Sequence, residues 1–309
     1  MVDKPNPRVP VITIEDLHKT VATFPTSLGH GDRALALSGA WVKSIFGLEW
    51  MREHVMPSAK PGSYLRLDEA LPQKEKMARI LRFVDFAETL YNLREVPGLE
   101  ACIQQLANGK VESACAELDV ARMLHVHEIR FRFIVPKKLK RGEDYDFTIV
   151  YPDGLEVAAD AKCKFESTEI DPKSVLNSLH DARTQLPKGE PGVIFVKVPP
   201  PWIENVDMAN AIVHTAREFF GRGTKRVVSV KFYAQPIIYT EEITAGVHLY
   251  SEVSNPNAII PDRDWDLFKG TREMHLTGDR SGMPSWWVKF MYFPAGIPPG
   301  TRGPAVAHM

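Results

Sequence analysis

The sequence predicts a layered α/β domain with a mixed central sheet, preceded by a mainly helical N-terminal region. Three observations lead there. Apolar residues recur at helical spacing through most of 31–107. From 109 to 239 the patterns run helix, three strands, helix, strand, helix, strand, and helices that alternate with strands pack in layers around a sheet. Inside that run two segments of alternating polarity flank Pro152-Asp153-Gly154, a turn signal with glycine where φ is positive.

Taken in order, residues 1–12 are Pro-rich and read as extended. Ala34–Phe46 is one apolar helical segment, and Lys76–Leu93 is a second, with Met77, Ile80, Leu81, Val84, Phe86, Leu90 and Leu93 near helical spacing. Pro57 and Pro61 separate them. This region reads as a packing module without chemistry of its own. A helix over 109–124 carries Val111, Ala114, Leu118, Ala121 and Leu124 as its stripe. His127–Val135 reads as a strand ended by Pro136. After the hairpin, Asp171-Pro172 reads as an N-cap with Pro at N1, and the helix behind it turns Val175, Leu179, Ala182 and Leu186 to one side. Gly192–Val198 is a short apolar run, expected to be a buried strand. A helix over 207–220 and a strand over Arg226–Tyr239 follow. The expected boundaries are 1–107 for the helical region, 108–258 for the α/β domain, and 259–309 for a C-terminal extension whose tail from Pro294 is rich in Pro and Gly.

Composition narrows the function classes. The chain has 309 residues, 44% hydrophobic and 25% charged, as ordinary globular proteins do. Its net charge of −1 gives no global nucleic-acid signature, so any phosphate contact must be local. Cys102, Cys115 and Cys163 have no metal-type spacing, and an odd number argues against a disulfide framework. Cys163 falls on the apolar side of the hairpin and is expected in the core. No uninterrupted apolar stretch of about 18 residues occurs, so the cytoplasm is the default expectation and a membrane partner is not expected.

The hairpin carries the chemistry. In the register that its turn implies, Tyr145, Phe147, Ile149 and Tyr151 share one face with Leu155, Val157, Ala159 and Ala161. Asp144, Asp146 and Thr148 share the other with Ala158, Asp160 and Lys162. A slip of one residue would put Phe147 and Ile149 on the polar side. Asp146 then opposes Asp160 at roughly 4.5–5.5 Å between Cβ atoms, where like charges repel unless a proton or cation sits between them. A divalent ion suits two hard carboxylates at neutral pH. Asp144 opposes Lys162 in the same register and is expected to form a salt bridge with it.

Glu117 on a helix, Asp146 on a strand and Asp160-Ala161-Lys162 on the next strand resemble the PD-(D/E)XK nuclease superfamily, the restriction-endonuclease-like fold. The match covers roughly 109–200 and extends more loosely to about 258. Asp160 stands where Glu is common, and Tyr145 stands where Pro is frequent. The resemblance implies an α/β/α core and a metal-dependent nuclease, most directly on DNA. It implies Mg²⁺, with Mn²⁺ as a substitute, held by Asp146, Asp160, the Ala161 backbone carbonyl and Glu117. Lys162 would orient a metal-activated water or stabilise transition-state charge. Gln185 and Lys164 are accessory candidates, and Glu112 is the alternative to Glu117 on its helix. A homodimer is compatible with cutting two strands. The competing expectation is a catalytically inactive module of the same fold that binds nucleic acid or a protein partner.

Three further signals are weaker. Lys137, Lys138, Lys140 and Arg141 form a basic run before the hairpin, suited to a phosphate backbone or only to solvent. His125-Val126-His127-Glu128 lacks the spacing of a zinc protease and reads as surface histidines. Trp286, Trp287, Phe290, Tyr292 and Phe293 cluster near the C-terminus, where aromatics cover a core more often than they stack on bases.

Overall fold

A computed structural model describes residues 10, 12–68, 70–135, 144–151, 153–165, 168–169, 171–239, 244–246, 249–260 and 287–290. The basic run at Lys137, Lys138, Lys140 and Arg141 lies outside the described residues, as do Trp286, Tyr292, Phe293 and the tail from Pro294.

The N-terminal region is helical: α1 (Ile14–Ala22), α2 (His30–His54), α3 (Gln73–Asn92) and α4 (Leu99–Ala107). The first of these was not foreseen. It has a capping box, with Thr13 accepting the Asp16 N–H and Asp16 accepting the Thr13 N–H. In α2 the helical path breaks at Gly47, whose φ is 82°. Helix α5 (Val111–Val126) leads into β1 (Arg130–Phe133), which is shorter than expected because α5 runs past His125 and turns at Glu128.

The central sheet has six strands in the order β1, β2 (Phe147–Val150), β3 (Glu156–Cys163), β4 (Gly192–Lys197), β5 (Val227–Ala234), β8 (Leu249–Ser254). β1, β2 and β3 are antiparallel, β3 to β5 parallel, and β8 returns antiparallel, so the sheet is mixed. The hairpin register is the expected one: Phe147 opposes Ala159, Ile149 opposes Val157, and Gly154 takes φ 84° in the turn. The expected strand over Arg226–Tyr239 is two pieces, β5 and β6 (Ile237–Tyr239). Pro236, which has no N–H to give a ladder, stands between them. β6 pairs with β7 (Thr244–Gly246) in a separate two-stranded ribbon.

Helices cover both faces. Val157, Ala159, Phe147 and Ile149 join the core that α1 to α5 make with the sheet. On the opposite face Ala158, Ile194 and Val196 pack against α6 (Pro172–Gln185), α7 (Pro200–Glu204) and α8 (Val206–Gly221). Helix α6 starts where expected, because Asp171 accepts the Lys173 and Ser174 N–H groups and Pro172 occupies the first turn. Its four expected core residues, Val175, Leu179, Ala182 and Leu186, are buried. β4 is buried along its whole length, which explains its continuous apolar run. Trp287, Val288 and Phe290 are buried too; Val288 and Phe290 belong to the first core, and Asn92 exchanges two hydrogen bonds with the Val288 backbone. That core is continuous from Leu17 to Phe290, so the helical region and the sheet share it.

Candidate functional site

The site begins where β2 ends. The β2–β3 ladder closes at Phe147–Ala159, and Asp146 leaves it. Its backbone N–H donates to the Ala159 carbonyl at 3.1 Å. Its Oδ2 accepts the Ala161 N–H at 2.7 Å. A side-chain carboxylate thus replaces the next backbone partner of the β2–β3 ladder, which fixes the acid against β3, while Ala161 stays paired with Phe195 of β4 on the other side. The same irregularity corrects one expectation. Tyr145 turns away from Phe147 and packs on the core under α6, with its hydroxyl 3.4 Å from Thr148 Oγ1.

Asp160 is 0% exposed. Lys162 Nζ lies 2.7 Å from its Oδ2, and neither Asp160 oxygen has a hydrogen-bond partner of good geometry among the described residues. Lys162 also donates to Gln185 Oε1 at the end of α6. Asp144 is exposed, so the lysine turns to Asp160 and Gln185 instead of its opposite number. Asp146 was expected directly opposite Asp160; the ladder ends one residue earlier, so that pair does not form, and of the two acids only Asp146 keeps partial exposure while Lys162 closes over Asp160.

Glu117 projects from α5 and is 7% exposed. Gln105 on α4 donates to both its oxygens, at 3.0 and 3.1 Å. Sequence reasoning missed Gln105, since nothing in a lone glutamine marks it; only the packing of α4 on α5 brings it there.

The electrostatics tie these groups together. Burial first, then Asp146 and Asp160, push Glu117 well above the usual carboxylate range. Burial and then Asp146 do the same to Asp160, opposed by Lys162. Burial raises Asp146 to about 6, against the pull of Lys162 and the Ala161 N–H. Three acids therefore share one low-dielectric neighbourhood with one ammonium, and perturbation of this kind is typical of functional sites. No group of three or more His, Cys, Asp or Glu among the described residues is close enough to ligate one ion. The donor chemistry does fit a hard dication, because the carboxylates repel one another and, among the described residues, the Asp160 oxygens make an ion pair with Lys162 but no hydrogen bond of good geometry.

Other expectations land elsewhere. Lys164 donates to Ser174 Oγ at 2.7 Å and to the Ser174 carbonyl at 2.8 Å, so it braces α6 and is turned from the acids. Cys163 is half-buried and not a core residue, because β3 ends there. His125 is half-buried rather than a surface residue: its ring meets Phe131 and Trp287 edge-on, and burial lowers its pKa. Beside the site, on the α5 face, Lys197 Nζ donates to Tyr64 and Asp119, each at 2.6 Å. No helix among the described residues is long and apolar enough to cross a membrane. No protein-family model matches the chain, and a search of curated proteins finds no similar sequence.

Proposed function

We propose that the chain is a metal-dependent nuclease of the PD-(D/E)XK type, with a restriction-endonuclease-like core, that hydrolyses phosphodiester bonds in DNA. One observation carries this reading: Glu117 of α5, Asp146 just before β2, and Asp160 and Lys162 of β3 share one buried neighbourhood where Asp146 leaves the β2–β3 ladder. Asp146, Asp160 and the Ala161 carbonyl would hold Mg²⁺ or Mn²⁺, with Glu117 beside them. A bound dication supplies charge neutralisation at the scissile phosphate and lowers the pKa of a water. The chain's own groups do the rest. Burial and mutual repulsion hold Glu117 and Asp160 toward the protonated form, and a bound dication would favour their charged form. Lys162 carries positive charge to the developing phosphorane, and Gln185 holds its ammonium in place. Gln105 fixes the Glu117 carboxylate by a two-point contact.

The test is cleavage of a panel of DNA and RNA substrates by the purified chain with Mg²⁺ or Mn²⁺. Asp160→Ala and Lys162→Ala are expected to lose about 100-fold or more in rate, with circular dichroism unchanged. Wild type and both variants behaving alike across the panel would sink the reading. The second reading is a non-catalytic module of the same fold that binds nucleic acid or a protein partner. Full burial of Asp160 beneath Lys162 favours it. Calorimetric titration with Mn²⁺ separates the two: a saturable site lost in Asp146→Ala supports the nuclease, and absence of binding supports the module.

A further inference from the structure

The last turn of α6 has two sides. Gln185 reaches Lys162 on one, while Arg183, two residues earlier, projects to the other. There it borders a cleft of about 460 Å³ lined by Thr184, Thr224, Lys225, Arg226 and Ile259 as well. The size falls in the range of small-molecule sites. Among the described residues, three cations and two hydroxyls line it, and no carboxylate does.

Among the described residues, the acceptors that hold the two guanidiniums are all neutral. Arg183 Nη1 donates to Thr224 Oγ1 at 3.1 Å. Arg226 donates to the Pro187 carbonyl at 3.2 Å and to the Arg183 carbonyl. Neither has an ion-pair partner among the described residues; the neighbouring Glu218 pairs with Arg222 at 2.5 Å. Their mutual repulsion adds to burial in lowering the Arg226 pKa, and Arg183 and Arg222 together help lower that of His180. The carbonyls ending α6 offset about half a unit charge, well short of three cations. The wall is also rigid. Thr224 is 2% exposed, and the buried Asn255 amide donates to the Thr224 carbonyl at 2.5 Å and the Val227 carbonyl at 2.7 Å. Each guanidinium has five N–H donors in a planar fork, so donors remain for an anion with several oxygens.

We infer that this cleft, between the end of α6 and the α8–β5 turn, binds a phosphate or pyrophosphate group. Planar arginine forks match the spacing of phosphate oxygens, and Lys225 adds a point charge at the rim. The group arrives on a phosphorylated small molecule or on a nucleic-acid backbone. The inference is independent of the nuclease reading, since the cleft shares no residue with the acid cluster.

The experiment is calorimetric titration of the full chain with sodium pyrophosphate in EDTA, which removes any metal-mediated binding at the carboxylates. The expected result is one saturable site. Its affinity drops about tenfold or more in Lys225→Gln and further in Arg183→Gln/Lys225→Gln, and is unchanged in Asp160→Asn. Lys225 is exposed, so its single replacement tests the site even where loss of Arg183 disturbs the fold. A short DNA duplex added as competitor assigns the source: displacement of pyrophosphate points to a backbone phosphate, and no displacement points to a small molecule. No saturable binding up to about 10 mM, or binding indifferent to both variants, overturns the inference.

Discussion

Asp146 is the residue on which the site turns, because it serves two roles at once. Its carboxylate closes the ladder that its own backbone abandons, and it is the neighbour that most raises both Glu117 and Asp160 after burial itself. Its own pKa of about 6 has a consequence for stability in metal-free buffer. The folded value lies above the unfolded one, near 3.9. Folding therefore takes up protons between about pH 4 and 6, and stability is lost as pH rises through that window. Asp146→Asn removes the charge while keeping an acceptor for the Ala161 N–H. It is expected to stabilise the metal-free protein at pH 7 by on the order of 1–3 kcal/mol, with no gain at pH 4. Urea melts at the two pH values measure this, and equal effects at both would contradict it. The positions of Asp160 and Lys162 were legible in the sequence because they follow a period of two along one strand. The closure of Lys162 over Asp160 was not, because it depends on Gln185, a turn and a helix away.

At the level of elements, the short connections hold the site's strands to the helical region. Gly98, at φ 83°, opens α4 against β1, and the Phe133 backbone N–H donates to the Pro97 carbonyl at 2.9 Å. A Cβ at Gly98 would stand 2.4 Å from the Phe133 carbonyl oxygen. Gly98→Ala therefore combines an unfavourable backbone conformation with a steric clash against main chain. A loss of about 2 kcal/mol or more is expected, readable as a lower thermal midpoint. Gly62→Ala, at the same φ but with open space around it, is the milder control. Helix α6 was legible from Asp171-Pro172 and its apolar stripe, since capping and amphipathicity are local. Strand β8 was missed, and so was α7. β8 gains its identity only by pairing with β5, and α7 is a single turn.

Across the whole molecule, one core joins the helical region to the α5 face of the sheet. Leu37, Trp41, Phe83 and Tyr91 of the helices pack in the same cluster as Phe147, Ile149 and Phe195 of the strands. Polar contacts cross the same boundary: Tyr64 accepts from Lys197, and Phe290 N–H donates to the buried Glu88. A fragment beginning at residue 108 would expose the strand residues that these helices cover, at a cost of about 1.5–3 kcal/mol for each large side chain. Such a fragment is expected to be unfolded or aggregated by circular dichroism and size exclusion. A stable, monomeric fragment with native strand content would show that the two parts are separable.

The sequence by itself determined the hairpin and its register from Phe147 to Val150, the start and buried face of α6, the buried β4 strand, and the placing of Asp160 and Lys162 on one strand. These are decided by residues near one another in the chain, through alternation, capping and turn chemistry. Only the tertiary structure decided that Asp160 is sealed by Lys162 and Gln185, that Gln105 grips Glu117, and that the Arg226 guanidinium reaches the Arg183 carbonyl. Those contacts join residues far apart in sequence, and a packed interior, not a local preference, determines which of them meet.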